Sequence, residues 1–98
     1  RDRREPSDAG RAETLQERER ARELQRTQER AMQRRVRRQS ELEEAIHGLE
    51  AQLREIEARL AAASAEQQID RVRQLGAQYN QLEAELEARM GEWTELAA

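Results

Sequence analysis

Large apolar residues recur at Leu42, Ile46, Leu49, Leu53, Ile56 and Leu60, alternately four and three apart. That is the stripe of an amphipathic helix with a heptad repeat. A second stripe runs through Val72, Leu75, Tyr79, Leu82, Leu86, Met90, Trp93 and Leu96, and its spacing slips by one residue at Arg89 and Met90. Between them, Ala61-Ala62-Ala63-Ser64-Ala65-Glu66 has no large apolar residue. Ser64 and Gln67 are spaced as a capping box, and Asp70 is a second N-cap candidate. The pattern predicts a first helix over 13–62, a turn over 63–69 and a second helix over 70–97.

A short connection makes successive helices antiparallel. Facing residues of a hairpin have position numbers with a near-constant total. Leu53 with Tyr79 and Ile46 with Leu86 give 132; Leu49 with Leu82 and Ile56 with Leu75 give 131. This register brings Trp93 to Gln39 and Val36, with Arg35 placed for a cation–π contact at the open end. The expected fold class is all-α, an antiparallel two-helix coiled-coil hairpin with a longer, partly unpaired basic N-terminal helix. Residues 33–62 belong to the hairpin and 13–32 face nothing, with Thr14 and Glu17 as a further capping box. Residues 1–12 read as a disordered tail. The competing arrangement is one unbroken helix pairing with a second chain.

Composition narrows the function. The chain has 98 residues, of which 36% are apolar and 40% charged, with no Phe. Sixteen of the apolar residues are alanine, too little bulk for a compact enzyme with a water-excluding pocket. The lack of cysteine removes disulfides and thiolate chemistry. No apolar run approaches the roughly 18–20 residues that span a bilayer, and the expected location is cytoplasmic. His47 is the only histidine and has no second histidine to share a metal. Glutamate pairs such as Glu43 with Glu44 need a low-dielectric cleft for acid–base work, which a two-helix rod lacks. No catalytic residue, cofactor, metal or small-molecule substrate is expected.

The net charge of −3 conceals a dipole. Residues 1–40 hold 13 arginines and 8 acids; residues 41–98 hold 5 arginines and 13 acids. All 18 basic residues are arginine, whose planar fork suits phosphate. Arg18, Arg22, Arg26, Arg30, Arg34 and Arg38 recur every fourth residue. Acids relieve the first half of this ladder. From Arg30 to Arg38 there are five arginines and no acid, and phosphate contacts account for such a run. The candidate nucleic-acid-binding residues are therefore Arg30, Arg34, Arg35, Arg37 and Arg38. The alternative is a structural coiled coil for self-association or protein–protein contact, its acidic 41–98 surface suited to a basic partner.

The stretch Ser40-Glu41-Leu42-Glu43-Glu44-Ala45-Ile46-His47-Gly48-Leu49-Glu50-Ala51-Gln52-Leu53 resembles the first helix of the C-terminal coiled-coil domain of ABC-F proteins. These are ATP-binding-cassette proteins without membrane spans. The close of the chain, Leu82 to Leu96, is similar to the family's final helix, which usually ends Arg-Trp-Glu-x-Leu. Here Gly91-Glu92-Trp93-Thr94-Glu95-Leu96 keeps Trp and Leu and replaces the preceding Arg. The resemblance covers about 34–97. It implies a non-catalytic appendix of a tandem ATPase, whose nucleotide sites lie in other domains. It also implies binding to DNA or ribosomal RNA. The missing basic residue before Trp93 leaves the five arginines of the first helix as the expected contact.

Overall fold

The structure, a computed structural model, describes residues 8–98, with side chains from residue 11 onward. The chain is all-α: α1 spans Asp8–Ala65 and α2 spans Ile69–Ala97. It divides into two units, residues 1–35 and 36–98. Of the expected tail, residues 1–7 lie outside the described residues and 8–12 are helical. Arg11 and Ala12 are strong helix formers.

In the first unit every side chain from Arg11 to Arg35 is exposed. Leu15, Leu24 and Met32 stand open to solvent. Helix propensity and contacts one turn apart support this segment. Gln25 Nε2 donates to Glu29 Oε1 at 3.3 Å, Thr27 Oγ1 to the Glu23 carbonyl at 2.9 Å, and Arg30 Nε to the Arg26 carbonyl at 3.3 Å.

The second unit is the antiparallel hairpin. Its core is one stripe per helix. On α1, Leu42, Leu49, Leu53, Ile56 and Ala63 are buried, while Gln39, Ile46 and Leu60 are half-buried. On α2, Leu75 is buried, and Val72, Tyr79, Leu82, Leu86, Arg89, Trp93 and Leu96 are half-buried along the same face. Leu42 and Leu75, each 1% exposed, are the most enclosed side chains. Ile56, Ala63 and Leu75 form a cluster against which Leu60, Val72, Tyr79 and Leu82 pack.

The expected slip in the second stripe does not occur. Met90 is 51% exposed, and Arg89 takes the seam position instead. With Arg89 included, the α2 positions 72, 75, 79, 82, 86, 89, 93 and 96 alternate three and four without error. The α1 positions 39, 42, 46, 49, 53, 56, 60 and 63 do the same. A single total of 135 now carries all eight α1 positions onto all eight on α2. The helices bracket the turn at Ala65 and Ile69, so level residues total about 134. Each seam residue therefore sits between two on the other helix, as knobs do in holes.

Residues 66–68 make the turn, and its chemistry differs from the expected capping box. Gln68 N–H donates to the Ala63 carbonyl at 2.9 Å, and Gln67 N–H to the Ser64 carbonyl at 3.1 Å. Gln67 has φ of 57°. These bonds are the Schellman closure of a helix C-terminus, with glutamine where glycine is favoured. Ser64 thus ends α1 through its backbone and caps nothing. Gln68 is the N-cap of α2 but makes no side-chain cap bond. Asp70 lies in the first turn of α2, where its charge complements the helix dipole.

Arg89 occupies an apolar position at a cost: its Nε is buried and has no hydrogen-bond partner. Arg89→Leu should stabilise the hairpin by about 1 kcal/mol for a half-buried leucine, seen as a higher denaturation midpoint. A lower midpoint would mean that the Arg89 contact with Glu92 outweighs the orphaned donor.

Candidate nucleic-acid interface

Arg30, Arg34 and Arg35 lie in the first unit and Arg37 and Arg38 in the second. All five are exposed on α1. Arg34, Arg35 and Arg37 make no ion pair with any described residue. Arg30 spends only its Nε, on the backbone of its own helix. Arg54, Arg71 and Arg73 are likewise exposed, but they stand among the acids of the net-negative half. The run from 30 to 38 is distinguished by having no carboxylate within it.

Arg38 is different from its four companions. Its Nε and Nη2 both donate to Glu92 Oε2, at 3.1 and 2.7 Å, and its Nη1 donates to Glu41 Oε2 at 3.2 Å. Arg89 Nη2 approaches the other oxygen of Glu92 at 3.6 Å. The hydrogen bond from Arg38 holds Glu92 below its ordinary value of 4.5. The bond to Glu92, and then that to Glu41, push Arg38 up. This clasp joins the two helices at the hairpin's open end.

Trp93 stands beside it. The indole N–H donates to Glu43 Oε1 at 3.1 Å, and Val36 remains 57% exposed. Trp93 therefore reaches one turn further along α1 than the expected Gln39 and Val36. A matching contact lies nearer the turn, where the Tyr79 hydroxyl donates to Glu57 Oε1 at 3.2 Å. That bond, then desolvation, holds the phenol in its protonated form by raising its pKa. Both aromatic–carboxylate pairs total 136 in position number, which places them in the seam register found above.

Residues 33–98 match the model of the ABC transporter C-terminal domain. The chain belongs to that family. No curated protein and no solved structure matches it. In this ABC transporter C-terminal domain the match takes in the whole hairpin, together with Arg34, Arg35, Arg37 and Arg38. Arg30 precedes it.

The sequence pattern marks the arginine run but not Glu92, Glu41 or Arg89, which the structure brings to Arg38 or to its partner. The signal for Arg89 was present, since 86, 89, 93 and 96 continue the heptad. A search confined to apolar residues passes over it. Among the described residues, no helix is long and apolar enough to cross a membrane. Among them also, no group of three His, Asp or Glu side chains could hold a metal ion. A groove along the hairpin between Ile56 and Leu82 is shallow and open to solvent, with Glu55, Arg59 and Glu85 on its rim.

The clasp gives stability a pH dependence with a definite sign. Glu92 binds its proton less tightly folded than unfolded, so unfolding takes up protons when the medium is acidic. Its contribution is complete above the ordinary carboxylate range and is lost as pH falls through the lowered folded value. Melting temperature should drop between about pH 5 and pH 3, and Glu92→Gln should flatten part of that drop. Circular dichroism melts check this; an equally steep drop in the variant would remove Glu92 as a cause.

Proposed function

We propose that this domain is the non-catalytic coiled-coil appendix of a cytoplasmic ABC-F-like ATPase, and that it binds DNA or ribosomal RNA without sequence preference. Arg30, Arg34, Arg35 and Arg37 make the phosphate contacts. The observation that carries this reading is the exposed, acid-free arginine run, in which only Arg38 has an ion-pair partner among the described residues. Guanidinium groups form paired, charge-assisted hydrogen bonds with phosphate oxygens, and contacts to phosphate position a protein without reading sequence. Family membership supports the reading as an appendix of an ATP-binding-cassette protein. ATP hydrolysis belongs to other domains of such a parent.

The oligomerisation alternative is weakened because the apolar stripe of α1 is already covered by α2 within the same chain. What remains for self-association is scattered: Leu15, Leu24, Met32, Val36, Ile69 and Met90.

Fluorescence anisotropy with a random-sequence DNA duplex and a ribosomal RNA hairpin tests the proposal. If about four arginines each neutralise a phosphate, log affinity for the duplex falls against log salt with a slope of about −3 to −4. Replacing Arg34, Arg35 and Arg37 by Gln keeps helix propensity and should abolish binding to every sequence tried. Replacing Arg54, Arg59, Arg71 and Arg73 by Gln should change it far less. No binding by the unaltered chain at low salt, or equal losses from both sets, would leave the oligomerisation reading.

A further inference from the structure

We propose that Glu92 is a built-in competitor for nucleic acid at Arg38. Its carboxylate occupies the guanidinium edge that a phosphate would take, so that closing the hairpin's open end and binding phosphate at Arg38 exclude one another. This rests on the nucleic-acid reading above and adds to it a control on one end of the contact surface.

Three observations carry it. Arg38 belongs by sequence to the acid-free run, yet it is the member of that run whose Nε, Nη1 and Nη2 are all engaged by carboxylates. Glu92 reaches it from the other helix, 54 residues away in sequence, so the contact depends on α2 being docked. The pair is also open to exchange. Arg38 and Glu92 side chains are 44% and 38% exposed, and exposed ion pairs are weak and screened by salt.

The geometry favours exchange further. Two donors of Arg38 converge on the single oxygen Oε2 of Glu92, whereas the strongest arginine pairs set two parallel bonds on two oxygens. A phosphate offers that fork. The other oxygen of Glu92 faces Arg89, which gives the carboxylate an alternative partner when Arg38 leaves. Glu41, on α1 itself, keeps its hold on Nη1 and orients the guanidinium in both states. Phosphate binding at Arg38 thus loosens the end of α2 that carries Trp93, and a docked α2 withholds one cation from nucleic acid.

The test compares four whole-chain proteins against the same DNA duplex: unaltered, Glu92→Gln, Arg38→Gln/Glu92→Gln, and Glu87→Gln. Glu87 is an exposed α2 carboxylate, and its variant controls for the loss of one negative charge. Glu92→Gln should bind roughly 2- to 5-fold tighter at low salt, with a salt slope steeper by about 0.9. The double variant should lose both gains, and Glu87→Gln should leave the slope unchanged. A Glu92→Gln protein that matches the unaltered chain or Glu87→Gln overturns the proposal, as does a double variant that keeps the gain. If the unaltered chain binds and these comparisons are flat, only the competition fails. If neither the unaltered chain nor Glu92→Gln binds, the nucleic-acid reading fails with it. Should Glu92→Gln lose helicity by circular dichroism, Glu92→Asp keeps the charge, draws the carboxylate back from Nε and Nη2 and should give a smaller gain of the same sign. No gain there overturns the proposal.

Discussion

The hairpin depends on one stripe. Two helices have no second layer to bury against, so every apolar contact must come from residues that keep a 3–4 alternation on both chain segments at once. Leu42 and Leu75 show how far that can succeed, each being 1% exposed. The stripe is also intolerant. A true slip on α2 would rotate its last two turns away from α1, and Trp93 and Leu96 would lose their partner face. Placing Arg89 in the seam preserves phase, and the chain accepts an orphaned Nε in return. A polar residue in a seam costs stability, but it can fix register. The long stem of arginine suits the position, since it packs along apolar surface while its charged end reaches Glu92.

Polar contacts flank the apolar stripe. Tyr79 with Glu57, Trp93 with Glu43 and Arg38 with Glu92 all join α1 to α2. Each uses a seam or near-seam residue of one helix and a flanking residue of the other. The last two lie at the open end, and Arg38 is itself the final arginine of the run.

Much of this was legible in the sequence. The Leu and Ile stripes gave two helices, and the gap at 61–66 gave a turn, because apolar side chains alone report which face is buried. The pairing of Ile56 with Leu75, at a total of 131, recurs in the buried cluster, and the polar bonds between the helices fall on either side of it. Nothing in the composition of Gln67 announces a left-handed residue, since glycine is the usual sign of that conformation. The arginine run was visible as uncompensated charge along the chain. Its partial compensation by Glu92 was not, because that partner is 54 residues away and enters only once the helices pair. Glu41 was within three residues of Arg38 and was legible as an i, i+3 pair.

The central claim is that α1 and α2 of one chain bury each other's stripe. Isotope-filtered nuclear Overhauser measurements on an equal mixture of labelled and unlabelled chains test it directly. The Tyr79 ring packs against the Ile56 cluster, so cross-peaks between the Tyr79 ring and the Ile56 methyls should appear within labelled chains and be absent from the between-chain spectrum. The same cross-peaks appearing only between chains would contradict the hairpin and require one unbroken helix paired with a second copy.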